Sequence, residues 1–460
     1  MECLTCQNCF TCQTNVSTCN TCENCFSCQV NNQNEQAEVK QNKPKVKPQK
    51  PLTFNLDKLK KKKEPREYFI FLTHGCNLAC DYCFAHKDNA KKMSKEIFEA
   101  TIDFLIREGK ERDIKLWFFG GEPTIEWNRM IKMIKKIREV YPHTPAGFTT
   151  NGTLLNKERL EYMKKHDIKM LLSIDGDKHH HNLHRKYPDG RGSFDSIPLD
   201  LIQEILPQRE VRPTITPRNV VGLLDSIKFL YSKGFKSIST EIAYEMDWTD
   251  ESLAIYKQEL EKVSFWWAKN AQDLSLSYIA KVKNVINRGQ TKININHRMC
   301  GTANNTLGIN YKGELFACQR WASYLRSDLA IGTVFEGLWE NQKLKNIQSL
   351  TRADLKPKDP SKCETCIAKA ICLGGCNAVN WELTGKRSII PDIYCKNNKI
   401  IFEEGLKALY LSGYLFGKRQ QVRRNNINND VIDRLKRIEY GISNLTKSIK
   451  DMPIVKIKEE

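Results

Sequence analysis

Three cysteines, Cys76, Cys80 and Cys83, stand three and then two residues apart in the run Thr73-His74-Gly75-Cys76-Asn77-Leu78-Ala79-Cys80-Asp81-Tyr82-Cys83-Phe84, at the end of an apolar stretch. A 4Fe-4S cluster takes one cysteine per iron, so a C-x3-C-x2-C loop leaves one iron open to an outside ligand. A structural zinc ion is the alternative. It wants a fourth ligand nearby, and the spacing followed by an aromatic residue favours the cluster.

A chain of 460 residues, 40% of them apolar, is long enough for two or three domains with a full core. It has no run of about 18 or more apolar residues, and its N-terminus is polar and Cys-rich, unlike a secretory signal. A cytoplasmic protein is expected, with no membrane partner. In that compartment its 18 cysteines are metal ligands rather than disulfides. Much of the formal charge of +19 sits between Lys40 and Lys63, beside Pro44, Pro48 and Pro51. So charged a segment reads as a solvated tether; contact with RNA or an acidic peptide is the other reading. No RNA-binding module is recognisable, so nucleic acid is not an expected partner.

Residues 1–30 contain a duplication. Cys3, Cys6, Cys9 and Cys12 recur as Cys19, Cys22, Cys25 and Cys28, a cysteine at every third position in each unit. With almost no aliphatic residues, this stretch cannot form a hydrophobic core. A Lys/Pro-rich linker over 31–66 follows. From Glu67, β-rich runs alternate with helical ones, the sign of βα units on a parallel sheet. Strands are expected at 68–73, 114–119, 147–150, 170–174, 211–216 and 237–244, and helices at 95–107 and 223–232. The whole of 251–287 reads as helical. The fold class is α/β: a partial (β/α)6 TIM-like barrel over 67–285, with ligands beyond the C-terminal strand ends. A second Cys-rich domain over 286–400 and C-terminal helices over 401–460 complete the chain. The seam Val431, Leu435, Ile438, Ile442, Leu445 and Ile449 reads as packing.

These motifs together resemble the radical S-adenosylmethionine (radical SAM) family over roughly residues 66–400. Gly120-Gly121-Glu122-Pro123, after the second strand, looks like the family's GGEP turn, whose backbone receives the cofactor's methionine ammonium. Thr150-Asn151-Gly152 and Ser173-Ile174-Asp175-Gly176 end the third and fourth strands in the same way, and the resemblance implies that Asn151 also binds the cofactor. The resemblance implies that Ser173 and Arg185 contact the cofactor's ribose and carboxylate and that Tyr82 lies near its adenine. S-adenosyl-L-methionine would then chelate the open iron at Cys76, Cys80 and Cys83, and one electron would release a 5′-deoxyadenosyl radical. His179, His180, His181 and His184 lie between Ser173 and Arg185. On a loop with no obvious carboxylate partner they read as surface or substrate-loop residues rather than metal ligands.

Cys300, Gly313-x4-Cys318, Cys363-x2-Cys366-x5-Cys372-x3-Cys376 and Cys395 resemble the seven-Cys SPASM iron–sulfur domain of peptide-modifying relatives. By that resemblance Cys363, Cys366, Cys372 and Cys395 hold one auxiliary 4Fe-4S cluster. Cys376 joins Cys300 and Cys318 on another, whose fourth ligand is a substrate thiolate or an unidentified group, making three clusters in all. Sulfatase-maturing relatives carry a catalytic Asp directly after the Cys matching Cys318. This chain has Gln319, and an amide is no useful proton acceptor near neutral pH.

The implied activity is modification of a Cys-rich ribosomal peptide, with Cys thioether formation favoured over epimerisation or another radical oxidation. An electron donor such as a flavodoxin or ferredoxin is implied. Residues 1–30 resemble a Cys-repeat precursor fused to its own maturase, and no winged-helix-like recognition domain is expected before Glu67. A tether of about 35 residues spans roughly 30–35 Å, which makes delivery in cis feasible. The same repeat also reads as a zinc or iron–sulfur module or a redox-sensitive appendage. The alternative to an enzyme is a non-catalytic iron–sulfur electron or metal carrier, which has no use for the GGEP turn, Ser173 and Arg185.

Overall fold

The computed structural model describes residues 62–85, 88, 91–207, 209–288, 300–357, 359–364, 366–372 and 374–415. The duplicated Cys segment, nearly all of the Lys/Pro-rich linker and the expected seam from Val431 to Ile449 lie outside the described residues. Strands and helices alternate in the first half: β1 (Lys63–Phe71), α1 (Lys95–Glu111), β2 (Arg112–Phe119), α2 (Trp127–Val140), β3 (Ala146–Thr150), α3 (Lys157–Lys165), β4 (Ile168–Leu172), α4 (Lys178–His184) and α5 (Leu199–Ile205). The short strands β5 (Glu210–Val211) and β6 (Thr214–Ile215), helix α6 (Leu223–Ser232), strands β7 (Ser237–Ile238) and β8 (Glu241–Ile242), helix α7 (Asp250–Asn270), strand β9 (Ser275–Leu276) and helix α8 (Ser277–Arg288) follow.

Next come β10 (Thr306–Ile309), β11 (Glu314–Phe316), α9 (Gln319–Ala322), β12 (Gly332–Thr333), β13 (Gly337–Leu338), α10 (Gln342–Gln348), β14 (Lys356–Pro357), α11 (Asn377–Thr384), β15 (Ile389–Ile390) and α12 (Asp392–Leu411).

One sheet runs β13-β12-β11-β10-β1-β2-β3-β4-β5-β7-β9, parallel from β10 through β9 and antiparallel from β10 to β13. Central strands of such a sheet are covered on both faces, so apolar residues run through them without alternation. Ile70, Phe71 and Leu72 are all fully buried. Helix starts follow from local chemistry. Ser94, Asn156 and Asp177 accept the N–H of Ile97, Arg159 and His180 at the starts of α1, α3 and α4, and Thr249 forms a capping box with Ser252 at α7.

The architecture agrees with the α/β, TIM-like expectation and differs in detail. The fifth and sixth expected strands are each split in two. Pro213, between β5 and β6, has no N–H to give a ladder. The expected helical stretch over 251–287 breaks after Asn270, where Leu274 N–H turns back to Ala271 O and Ser275 N–H pairs with Lys236 O, so that β9 joins the sheet edge beside β7. Sheet pairing wins there over a pattern that suits a helix. Strand β1 begins at Lys63, inside the expected linker, because Arg66 is buried against Glu108 at 3.0 Å and the carbonyl of Asn304 at 2.7 Å. Helix α12 crosses the expected boundary at residue 400. Among the described residues, no helix is long and apolar enough to cross a membrane.

α12 packs on α7 and α8 and buries Glu404 completely. Its carboxylate lies 2.9 Å from Lys407, which also reaches Glu261 at 2.8 Å. Burial outweighs that cation and pushes the Glu404 carboxyl up to about 7. A carboxyl whose folded value exceeds its unfolded one binds more protons in the native state, so stability falls as pH rises from about 4.5 through about 7. Glu404→Gln removes this slope. Urea unfolding at pH 5 and pH 8 should show the native chain losing on the order of 2 kcal/mol more than the variant over that interval; equal losses contradict the assignment.

Candidate active site

The first three cysteines lie on the loop that leaves β1, at the C-terminal edge of the parallel strands, and all three are half-buried. The loop is held from several sides. Gly75 N–H donates to Thr73 Oγ1 at 2.9 Å, His74 N–H to Lys91 O at 2.8 Å and Ala79 N–H to Lys186 O at 2.7 Å. Leu78 N–H donates to Cys76 Sγ at 3.4 Å, the kind of contact that favours a thiolate. Asn77 donates to Thr153 Oγ1 at 2.8 Å and accepts from Asn151 Nδ2 at 2.9 Å. Asn151, expected at the cofactor, thus also pins the residue beside Cys76.

Gly120 and Gly121 sit directly under this loop. Gly120 has φ +142°, and a Cβ on it would stand 2.3 Å from Thr73 O; one on Gly121 would stand 2.0 Å from Gly75 O. Only glycine allows that approach. Glu122 N–H then donates to Gly75 O at 2.8 Å. The Glu122 carboxylate turns inward and accepts from Thr150 Oγ1 at 2.8 Å, Asn151 N–H at 2.8 Å and Thr124 N–H at 3.1 Å. Burial pushes this carboxyl up, and those donors oppose the shift. The side chain therefore joins the ends of β2 and β3, and the turn's backbone is what faces the loop.

At the end of β4, Ser173 is half-buried and its N–H donates to Thr150 O at 2.8 Å. Asp175, which sequence reasoning gave no role, is the hub of this corner. Its side chain is fully buried, pairs with Arg185 Nε at 3.0 Å, and accepts from Tyr82 OH at 2.7 Å and Thr214 N–H at 2.9 Å. The Arg185 guanidinium lies 5.4 Å from the centre of the Tyr82 ring. Arg185 and Tyr82 both feel the Cys80 thiol electrostatically, so two candidates from the sequence converge beside one cysteine. The buried carboxylate holds the Arg185 guanidinium more firmly charged than usual despite its burial. The signal that could have revealed Asp175 was its place in the run closing β4: a carboxylate at a buried strand end needs a cation.

The four histidines lie on α4, not on a loop. Asp177 at its N-cap was a visible start signal. Three are held individually by protein groups: His180 between Asp177 at 2.8 Å and Val221 O at 3.0 Å, His181 against Ser193 Oγ at 3.0 Å, and His184 between Asp81 at 2.6 Å and Thr216 Oγ1 at 2.7 Å. His181 and His184 are buried rather than at the surface. Burial pushes the His181 imidazole down to about 3, so it is neutral. His184 braces the cluster loop through Asp81, which Arg218 also holds at 2.8 Å.

The seven remaining described cysteines fall into two groups by their mutual electrostatic influence. Cys376 and Cys300 act on Cys318, and Cys300 acts on Cys376, while Cys395, Cys372, Cys363 and Cys366 form a second set. Cys318 and Cys376 are the N-caps of α9 and α11. Neither sulfur makes a side-chain capping hydrogen bond, but the backbone N–H groups of Trp321 and Arg320, and of Val379 and Ala378, respectively, oppose the upward push that burial gives these thiols. Gly374 N–H donates to Cys372 Sγ at 3.4 Å. Burial, followed by the neighbouring thiols, pushes Cys395 up to about 11.

Grouped thiols, half-buried apart from the exposed Cys300 and with N–H donors aimed at Cys76 and Cys372, fit iron–sulfur ligation. Among the described residues, no three His, Cys, Asp or Glu side chains are arranged to hold a single metal ion. Cysteines that each bind a different iron stand further apart than ligands around one zinc. Gln319 is half-buried beside Cys318, at the start of α9.

This fold and cysteine loop define a class. Residues 70–197 match the model of the Radical SAM superfamily. Several of its likenesses are to maturases. It is 23% identical over 370 residues to a cysteine-type anaerobic sulfatase-maturating enzyme of Clostridium novyi, covering 73% of this chain and 93% of that one. It is 30% identical over 128 residues to the antilisterial bacteriocin subtilosin biosynthesis protein AlbA of Bacillus subtilis, 27% of each chain. Among solved structures, native anSMEcpe with bound AdoMet and Cp18Cys peptide shares the fold, with TM-score 0.63, 21% identity, and 76% of this chain and 99% of that chain covered. The chain spans 62% of the length of protein MJ0907 of Methanocaldococcus jannaschii, to which it is 30% identical over 181 residues.

The contact of Gly121 with the loop gives a direct test. Gly121→Ala should drive its methyl into Gly75 O, displace the cysteine loop and lower iron bound at the first site, and with it S-adenosylmethionine cleavage, at least tenfold. Iron analysis and deoxyadenosine yield, beside an unchanged circular dichroism spectrum, check it; full iron content and rate would contradict the role of this contact.

Proposed function

We propose that this chain is a radical SAM enzyme that modifies a Cys-rich peptide by forming Cys thioether crosslinks, with its own residues 1–30 as the substrate segment delivered in cis. The observation that carries the proposal is the pairing of two features: a three-cysteine group, Cys300, Cys318 and Cys376, one ligand short of a four-iron site, and Gln319 in place of a proton-accepting carboxylate. A site short of one ligand suits a substrate thiolate, which a metal holds deprotonated and aimed. The amide argues against formylglycine-type oxidation, although sulfatase maturation is what one relative's name states.

When bound, the cluster and S-adenosylmethionine supply a 5′-deoxyadenosyl radical that takes one hydrogen atom from the acceptor carbon. The chain's own residues bind and orient. Cys76, Cys80 and Cys83 are the proposed ligands of the first 4Fe-4S cluster. The backbone of Gly120, Gly121 and Glu122, with Asn151 and Ser173, receives the cofactor's amino-acid part and ribose. Arg185, fixed by Asp175, presents a cation to its carboxylate, and Tyr82 lies against its adenine. Cys363, Cys366, Cys372 and Cys395 would hold a second auxiliary cluster, which would supply an acceptor for the surplus electron. A small redox protein such as a flavodoxin or ferredoxin supplies the reducing electron.

The protein should therefore process itself. After anaerobic incubation with S-adenosylmethionine and reductant, then full reduction and alkylation, mass spectrometry of residues 1–30 should find losses of two hydrogens per link and cysteines that no longer alkylate. Cys363→Ala or Cys395→Ala should still yield deoxyadenosine but no crosslink. An unmodified segment in a protein that crosslinks an added Cys-rich peptide would overturn the cis assignment, and deoxyadenosine formation with no modified peptide of either kind would overturn thioether formation.

A further inference from the structure

Arg320 is the second residue of α9, two positions after Cys318, and it touches the cysteine loop, the barrel mouth and the C-terminal Cys-rich region. Its guanidinium lies 4.2 Å from the centre of the ring of Phe84, the residue after Cys83. It pairs with Glu245, just beyond β8, and with Glu382 on α11 at 2.9 Å. Its Nε donates to Tyr324 OH at 2.8 Å, and that hydroxyl donates to Glu382 at 2.7 Å. Held on these sides, with its side chain 13% exposed, the cation cannot swing into solvent and is weakly screened. It is also the strongest charged influence on the Cys376 thiol, ahead of Cys300, and it favours the thiolate. Binding of peptide or cofactor needs none of this, and Arg320 is not among the residues proposed above to hold either.

We propose that Arg320 is a positioning residue for electron transfer: a fixed positive charge that raises the reduction potential of the cluster at Cys300, Cys318 and Cys376, with Glu245 and Glu382 setting how much of that charge the cluster feels. The inference rests on the cluster assignment under Proposed function. Adding one electron to an iron–sulfur cluster makes it more negative by one unit, so a nearby cation stabilises the reduced form, and net charge around a cluster is one of the quantities that set its potential. A guanidinium suits this role because its charge does not vary over physiological pH and its planar fork holds two carboxylates at once. Removing the cation and removing one of its carboxylates must then shift the potential in opposite directions. A purely structural latch would give no such opposition.

The test uses the full-length chain, reconstituted anaerobically, as native protein, R320Q, R320K and E382Q, with iron and sulfide counted first. Each is then titrated with dithionite while the reduced clusters are followed by electron paramagnetic resonance. At the native midpoint, R320Q should have a ratio of oxidised to reduced auxiliary cluster at least tenfold higher, a midpoint lowered by about 59 mV for one electron. E382Q should move the ratio the other way, and R320K should stay within threefold of the native value. Midpoints of R320Q and E382Q that coincide with the native one, or that move in the same direction, would overturn the inference. If R320Q loads less iron, E382Q decides alone: a raised midpoint supports the role of the cation and an unmoved one removes it. A native protein with full first-site iron and no auxiliary iron would instead overturn the cluster assignment itself.

Discussion

The rest of the site depends on one close approach of backbone to backbone. Gly120 and Gly121 lie so near Thr73 and Gly75 that neither position has room for a single methyl group. This contact fixes the height of the three-cysteine loop above the sheet, and Glu122 extends it sideways by tying the end of β2 to Thr150 and Asn151 at the end of β3. Asn151 in turn grips Asn77, so the loop is clamped at both edges. A parallel sheet offers this geometry because all its strands end on the same side.

Charge is arranged around that clamp in two layers. Close to Cys80, Asp175 neutralises Arg185 and receives the Tyr82 hydroxyl, so a cation and an aromatic ring are held in one orientation by a buried carboxylate. Further out, Arg320 joins Phe84, Glu245 and Glu382, drawing together three parts of the chain that are far apart in sequence. Both hubs are ion pairs largely removed from water. Such pairs add little net stability, and breaking one partner is costly; their use here is to fix position.

Much of this was legible in the sequence, and the limits have physical reasons. Strands β1 to β4 were visible because buried parallel strands are continuous apolar runs, and α6 begins and ends at the residues its apolar spacing marked, Leu223 and Ser232. The glycine turn was legible as a motif, but its tightness was not, since a distance to Gly75 O is a property of the fold. Strand β9 escaped notice because two residues carry no period, and its pairing with β7 is decided by the sheet edge. The antiparallel strands β11 to β13 are only two or three residues long. The histidines were misplaced because Lys-His-His-His is a poor helix-forming run, so the cap at Asp177 carried the signal alone. Arg320 went unnoticed because an arginine among many has no signature until its carboxylates are found in space.

The central claim is that the loop of Cys76, Cys80 and Cys83 leaves one coordination position open to a sulfonium cofactor. The most direct measurement is the electron paramagnetic resonance spectrum of the reduced, reconstituted protein recorded with and without S-adenosylmethionine. The account predicts that the signal of one cluster shifts when the cofactor is added and that this response is lost in Cys80→Ala. A protein whose loop carries a full cluster and whose spectrum is indifferent to the cofactor would contradict it.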